Sequence, residues 1–269
     1  MEEEEKKKYG GDPKEMSFWD HLDDLRWTLM RIAIGLGVCM VLVFMNRHIV
    51  FDIIVFGPTS SDFILYRGLC YLGNLLHYPS LCIEPFSLHN LQNITVAGQF
   101  FTHVSTSFWF GFVLSFPWII YQLWLFVRPA LYENERSSIT KAFSFSSILF
   151  FVGVLVGYLL VFPMTLKFMG FYQVSESVEN IITLASYIDT LIVLVMGMGL
   201  VFQMPVLILI LSRLGIVNKA FLRKYRRYAI VIILTLAAIV TPSPDPSTML
   251  AASIPLLLLY EFSIYICKK

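Results

Sequence analysis

The chain has 269 residues, of which 57% are apolar and 15% aromatic, and its mean hydropathy is +0.70. Soluble domains contain about 45–50% apolar residues, so this composition excludes an ordinary soluble domain and indicates a protein built for the lipid bilayer. The formal net charge is only +1, and four cysteines are too few for a fold held together by disulfide bonds.

The first residues form an acidic and then basic run, Met1-Glu2-Glu3-Glu4-Glu5-Lys6-Lys7-Lys8. It has no apolar core, so it does not resemble a cleavable signal peptide. We expect residues 1–16 to be a disordered cytoplasmic tail. We expect residues 17–269 to form a single six-span transmembrane domain.

Six stretches are apolar enough to be membrane helices, since a helix needs roughly 20 apolar residues to cross a bilayer. Because backbone polar groups must be paired inside lipid, we expect an all-α polytopic bundle. The predicted spans are 28–45, 100–127, 139–162, 186–211, 228–240 and 249–266, with longer outer loops at 47–99 and 163–185.

Lysine and arginine residues predict the orientation of the bundle. If both termini are cytoplasmic, the inner segments carry sixteen of these residues and the outer loops carry three, Arg47, Arg67 and Lys167. An excess of this size on one side indicates the cytoplasmic face. Both termini are therefore predicted to be cytoplasmic.

The fifth predicted span, 228–240, has 13 residues and would be about 20 Å long, against a hydrocarbon core of about 30 Å. Two interpretations remain open. The short helix could thin the bilayer locally. Alternatively, the helix could begin at Phe221, with the basic side chains of 223–227 reaching back to the membrane surface.

Two strings combine acidic and basic residues at helix starts: Leu22-Asp23-Asp24-Leu25-Arg26 and Tyr132-Glu133-Asn134-Glu135-Arg136. Both fall on the predicted cytoplasmic side. Asp24 could simply belong to a solvent-exposed helix face. Glu135 could simply be stabilised by the positive end of a helix dipole. Together they could also accept paired hydrogen bonds from guanidinium groups, which lysine cannot copy.

Few polar residues interrupt the predicted spans. Gln203 lies in the middle of the fourth span, and Gln122 lies near the inner end of the second. An interhelical amide hydrogen bond is the simpler interpretation of Gln203, and a place in a functional cavity is the alternative. Pro117, Pro163 and Pro205 are expected to kink spans two, three and four.

Cys70 and Cys82 both lie in the first outer loop, where an oxidising exterior would allow them to form a disulfide bond. The five histidines show no metal-ligand spacing, and the chain contains no phosphate-binding loop or hydrolase motif. We therefore expect no metal, no cofactor and no enzymatic activity.

Six strings in the same order resemble one family, the polytopic receptor subunit of the twin-arginine protein translocase, TatC. The strings are His21-Leu22-Asp23-Asp24-Leu25-Arg26; 121–132 with Glu135-Arg136; Val161-Phe162-Pro163; Phe202-Gln203-Met204-Pro205; Lys224-Tyr225-Arg226-Arg227-Tyr228; and Thr241-Pro242-Ser243-Pro244-Asp245-Pro246. A further match continues from Ile254-Pro255 to Tyr260-Glu261.

The resemblance implies six helices in a curved, glove-like wall that binds twin-arginine signal peptides of folded cargo. The family's acidic docking pair falls on Asp24 and Glu135, with Arg26 and Arg136 beside them. Structural turns are expected at Pro58, Pro129, Pro163, Pro205 and Asp245.

The resemblance also implies a bacterial cytoplasmic (inner) membrane, single-span TatA/TatB-type partner subunits, and a homo-oligomer within the receptor complex. Transport would draw on the proton-motive force, with membrane lipid as a partner and no nucleic acid.

The chain departs from the family pattern in two places. Asp24 stands where the family usually has glutamate, and Gln203 stands where a membrane-embedded glutamate is usual, so a protonatable group is missing there. The alternative function is a secondary transporter of an ion or small solute. Such transporters usually show repeated halves, and we see no such repeat in this sequence.

Overall fold

The computed structural model describes residues 18–60, 63–75, 91–128, 133–175, 180–213, 215–241 and 246–267. Within these residues the chain is helical and contains no strand, apart from one isolated parallel bridge between Gln92 and Thr183. The all-α prediction is therefore confirmed. The predicted tail over 1–16 lies outside the described residues.

Ten α-helices follow one another in the described part of the chain. They are α1 Phe18–Met45, α2 Ile64–Leu75, α3 Gly98–Val127, α4 Glu133–Val156, α5 Phe162–Phe171, α6 Leu184–Val201, α7 Met204–Arg213, α8 Lys219–Lys224, α9 Arg226–Val240 and α10 Pro246–Ile266. Two π-helical segments, Ile49–Val55 and Gly157–Val161, and a 3₁₀ turn, Gly57–Thr59, lie between them.

Five stretches of the described chain are long and apolar enough to cross a membrane: His21–Met45, Gly98–Val127, Ala142–Phe171, Leu184–Arg213 and Thr248–Tyr265. They contain or overlap five of the six predicted spans. The remaining predicted span, 228–240, lies within α9, which has 15 residues and is therefore about 22 Å long. The expectation of one unusually short helix is confirmed.

Both predicted outer loops contain more helix than expected. The first, 47–99, includes a π-helical segment and α2. The third span was predicted to stop at residue 162, but α5 continues it to Phe171. Pro163 is compatible with this continuation because it occupies the first turn of α5, directly after the π-helical segment, where a missing backbone N–H costs little.

Helix α1 runs antiparallel to α3 along most of its length. His21 near the start of α1 stacks on Phe126 near the end of α3, with ring centroids 4.4 Å apart. Phe44 at the other end of α1 stacks on His103, with centroids 4.0 Å apart. The start of α1 and the end of α3 therefore lie at the same end of the bundle.

Small residues allow these two helices to approach closely. A Cβ added at Gly111 of α3 would lie 2.8 Å from the backbone nitrogen of Met40 on α1. One added at Gly35 would lie 2.5 Å from Trp118, whose indole Nε1 donates a hydrogen bond to the carbonyl of Arg31 at 3.1 Å. Close approach at glycine is a common way for membrane helices to associate.

Helices α4 and α6 form the centre of the core. Phe150, Leu194 and Met198 are fully buried between them and their neighbours. A Cβ at Gly157 would lie 3.0 Å from the Cα of Val195, so these two backbones are also in close contact. The core thus depends on small residues as well as on large apolar ones.

Three tyrosine hydroxyls hold the turn that follows α1. Tyr158 donates to the carbonyl of Ile54 at 2.6 Å, and Tyr187 donates to that of Val55 at 2.6 Å. Tyr66 of α2 donates to the carbonyl of Pro58 at 3.0 Å. Burial raises the pKa of the Tyr66 hydroxyl, which keeps it protonated as a donor.

Candidate functional site

We call the end of the bundle where α1 begins the N-terminal end. The His21–Phe126 stack brings the start of α1 to the end of α3, and α4 begins at Glu133, a few residues further along the chain. The two acidic strings singled out in the sequence are therefore at one end of the bundle, on α1 and α4, which both pack against α3.

Asp24 presents an exposed carboxylate at this end. It lies three residues after His21, which touches α3, and four residues before the buried Thr28. Residues with this spacing share one face of a helix, so Asp24 lies on the side of α1 that faces α3. Asp23 is also exposed, but its position is rotated by about 100° around the axis of α1 from that of Asp24.

Glu135 lies in the first turn of α4, followed by Arg136; their side chains lie outside the described atoms. The first turn of a helix carries unpaired backbone N–H groups and a partial positive charge. A carboxylate is favoured at a position of this kind.

The predicted arginine Arg26 does not share the Asp24 face. It is exposed and lies two residues after Asp24, on the opposite side of α1. The structure therefore separates Arg26 from the acidic face with which it was grouped.

Gln203 lies between α6 and α7 and bonds to α4. Its Nε2 donates to the carbonyl of Ser146 at 3.2 Å, and the Ser146 hydroxyl donates to its Oε1. Both groups of the amide are therefore used, as the simpler interpretation of Gln203 expected. An amide suits this position because it provides a donor and an acceptor without a charge.

Gln122 is 3% exposed, and its Oε1 has no hydrogen-bond partner among the described residues. It lies on α3 between Trp118 and Phe126, two of the residues that contact α1. Gln203 hydrogen-bonds to Ser146 and not to Gln122, and a shared cavity for the two glutamines stays a prediction.

The predicted turn residues fall into three groups. Pro58 is buried in the 3₁₀ turn Gly57–Thr59, Pro163 begins α5, and Pro205 begins α7 after an interruption of the fourth span. Pro117 lies inside α3, which continues uninterrupted through it. Pro129 and Asp245 lie outside the described residues.

Cys70 of α2 is disulfide-bonded, and Cys39 and Cys267 are free. The predicted partner, Cys82, lies outside the described residues, so the pairing stays a prediction. Among the residues that the structure describes, no group of three histidine, cysteine or acidic side chains is arranged to hold a metal ion.

The chain was compared with protein-family models, with related sequences and with solved structures, and all three comparisons match one family. Residues 20–255 match the family model described as Sec-independent protein translocase protein (TatC). The chain belongs to the TatC family.

Two relatives carry the name Sec-independent protein translocase protein TatC. The protein from Blattabacterium sp. subsp. Periplaneta americana is 38% identical over 254 residues, covering 94% of this chain and 95% of the relative. The protein from Koribacter versatilis is 34% identical over 261 residues, covering 93% and 84%.

A crystal structure of the twin arginine translocase receptor TatC in the detergent DDM aligns with a TM-score of 0.69 and 29% identity, covering 93% of this chain and 100% of that one. As a TatC protein, the chain is a component of a Sec-independent protein translocase and a multi-pass protein of the bacterial inner membrane.

Several contacts of this TatC protein were not found from the sequence. Ser146 was missed as the partner of Gln203, although a hydroxyl in a membrane helix needs an acceptor and could have been noted. Trp118 was missed as the contact that fixes α1 against α3, because an indole N–H gives no signal in sequence for its acceptor.

Proposed function

We propose that this TatC protein is the receptor subunit of a twin-arginine translocase and binds the signal peptides of folded precursors through Asp24 and Glu135. The proposal is supported by the exposed carboxylate of Asp24 on the side of α1 that faces α3. It is also supported by the position of Glu135 in the first turn of α4, at the same end of the bundle.

The chemistry of this pair suits adjacent arginines. A carboxylate accepts two parallel hydrogen bonds from one guanidinium, and such charge-assisted bonds are about twice as strong as neutral ones. Two carboxylates at one end of the bundle, on two helices that both pack against α3, can each engage one arginine of a doublet. Lysine offers a point charge without the planar fork, so a lysine doublet would bind less tightly.

The remaining parts of the proposal follow from family membership and from the charge distribution. Both termini are cytoplasmic, because the excess of lysine and arginine lies on that side. Single-span TatA/TatB-type subunits and further copies of this chain complete the complex. Transport of the folded cargo draws on the proton-motive force.

No described contact favours a secondary transporter over a receptor. The polar contact in the middle of the fourth span, between Gln203 and Ser146, is uncharged on both sides. It offers neither an ion pair nor a protonatable group.

The test is crosslinking of a twin-arginine signal peptide to the full-length protein in membranes. Asp24→Asn and Glu135→Gln should each reduce crosslinking roughly tenfold, since a hydrogen bond to a charged group contributes about 1.5–3 kcal/mol. Asp23→Asn is the matched control, because it removes the same charge one residue away and should leave crosslinking unchanged.

Changing both arginines of the peptide to lysine should lower crosslinking to the unmodified protein. That change should have little further effect on the Asp24→Asn/Glu135→Gln protein. If the double variant crosslinks the arginine peptide as well as the unmodified protein does, the docking proposal is wrong.

A further inference from the structure

A second charged surface lies on α8 and the first turn of α9. It carries five basic residues within nine positions: Lys219, Arg223, Lys224, Arg226 and Arg227. The described residues from 215 onward contain one acidic side chain, Glu261, which pairs with Arg226 at 2.7 Å. This surface therefore has a large excess of positive charge.

Contacts with α10 fix the surface in place. The hydroxyl of Tyr260, which is 9% exposed, donates to the carbonyl of Leu222 at 2.9 Å. Leu222 itself is buried, so the opposite side of α8 faces outward. The basic residues are thus held on a rigid platform, since their helix is anchored to a membrane span.

Three aromatic rings form a row on the same platform. The ring centroids of Phe221 and Tyr225 are 4.6 Å apart, and those of Tyr225 and Tyr228 are 5.9 Å apart. All three side chains are exposed, and Tyr228 is 66% exposed. Tyrosine and phenylalanine at such a position are typical of the interface between head groups and acyl chains.

Three cations beside this row are available to a ligand. Arg223, Lys224 and Arg227 are exposed and form no ion pair with an acidic residue in the part of the chain that the structure describes. They lie two to six residues before the apolar part of α9, which begins at Ala229.

We propose that Arg223, Lys224 and Arg227 bind the phosphodiester head group of an anionic phospholipid whose acyl chains lie against the row Phe221, Tyr225 and Tyr228. Guanidinium groups recognise phosphate oxygens through paired hydrogen bonds. The aromatic row supplies the apolar contact that a free phosphate ion would not use.

The surroundings favour a lipid over an acidic protein segment. Beyond Tyr228, the outward side chains Val231 and Ile232 of α9 are 62% and 55% exposed. The aromatic row therefore continues directly into an apolar surface of the membrane span. One lipid molecule can contact the cations with its head group and this apolar surface with its acyl chains, whereas a water-soluble acidic peptide would contact the cations alone.

The test counts bound lipids on the full-length protein by native mass spectrometry in a non-ionic detergent. Phosphatidylglycerol and phosphatidylcholine with the same acyl chains are compared. The double variant Arg223→Gln/Arg227→Gln should weaken phosphatidylglycerol binding by roughly 25-fold, a factor of about five for each basic residue near an anionic surface. Phosphatidylcholine binding should stay unchanged.

Three further variants test the roles of the positive charge, of the apolar contact and of a cation elsewhere in the chain. Arg223→Lys/Arg227→Lys keeps the charge and should retain most of the selectivity for phosphatidylglycerol. Phe221→Ser/Tyr228→Ser should weaken the binding of both lipids. Lys167→Gln on α5 removes a cation elsewhere and should leave lipid binding unchanged.

Three results would overturn the proposal. The double glutamine variant could bind phosphatidylglycerol as the unmodified protein does. Glycerol phosphate without acyl chains could bind as tightly as the whole lipid, which would indicate a site for a free anion. A polyglutamate peptide could bind more tightly than phosphatidylglycerol and lose its binding in the double variant, which would indicate a peptide site.

Discussion

Ser146 and Gln203 form a reciprocal pair of hydrogen bonds between α4 and the junction of α6 and α7. The Gln203 Nε2 donates to the Ser146 carbonyl at 3.2 Å, and the Ser146 hydroxyl donates back to Oε1. The pair lies where the fourth span is interrupted, directly before Pro205. The two hydrogen bonds therefore connect the interruption of the fourth span to α4 of the third span.

The first prediction concerns the coupling within this pair. Gln203→Leu and Ser146→Ala should each lower the free energy of unfolding, by up to about 1.7 kcal/mol for interhelical hydrogen bonds in membranes. The double variant should lose less than the sum of the two, because both substitutions remove the hydroxyl–amide bond. Denaturant titration of the protein in detergent micelles measures this, and additive losses would show that the two side chains do not interact.

The second prediction concerns the glycine contact between α1 and α3. Gly111→Ala should destabilise the protein by about 1–3 kcal/mol, because its Cβ would collide with the backbone of Met40. Gly35→Ala should cost less, because its Cβ meets the Trp118 side chain, which can move. Thermal unfolding in detergent would rank the two.

Gly37→Ala is the matched control for these substitutions. It lies in the same helix as Gly35, and a Cβ there would have no atom within 4 Å. Alanine should therefore be neutral or stabilising there, by roughly 0.5–1 kcal/mol of helix propensity. An equal loss at Gly37 and Gly111 would contradict the close-contact explanation.

The third prediction concerns the tyrosines that hold the outer turn. Tyr187→Phe should lower the free energy of unfolding by about 1–3 kcal/mol, because it leaves the buried carbonyl of Val55 without its donor. Hydrogen exchange over 49–60 should increase in the same variant. Tyr71→Phe, at a side chain that is 72% exposed, should change neither measurement.

The fourth prediction contrasts two neighbours on α10. Tyr260→Phe should cost about 1 kcal/mol, because its hydroxyl is buried and bonds to Leu222. Glu261→Gln should cost less than that, since the ion pair with Arg226 is 45–57% exposed and exposed pairs contribute about 0.2–1 kcal/mol. If Glu261→Gln were the more damaging change in a thermal unfolding comparison, burial would not be what separates the two contacts.

The fifth prediction concerns salt. Binding of a twin-arginine peptide should weaken as ionic strength rises, because the Asp24 carboxylate is exposed and its charge is screened. In Asp24→Asn this dependence should be shallower, since one of the two attracting charges is gone. Titrating a labelled peptide at several salt concentrations gives both slopes, and identical slopes would argue against a contact with Asp24.

The sequence predicted the helices well because the apolar stretches are long. The short α9 was visible from the 13-residue apolar stretch 228–240, which only Thr235 interrupts, and the break before Pro205 followed from the missing backbone donor. The grouping of Asp24 with Glu135 required only topology, since both lie next to span ends on one side.

Contacts between distant side chains could not be predicted in the same way. Tyr158 and Ile54 are 104 residues apart, and Tyr187 and Val55 are 132 residues apart. Which side chains meet depends on the rotation of each helix about its axis, and this rotation is set by packing. Adjacency in a string likewise says nothing about the face a residue occupies, and Arg26 lies on a different face of α1 from Asp24.

The π-helical segment Gly157–Val161 has a consequence for aligning this chain with its relatives. A π turn holds one more residue than an α turn over the same rise, so the residues of α5, Phe162–Phe171, are rotated by about 100° relative to an unbroken α-helix. A homologue that lacks one residue here would keep the same neighbours along both halves of its third span. A gap in such an alignment therefore belongs at 157–161. An alignment that places it elsewhere in the third span would match lipid-facing positions of one protein with interior positions of the other.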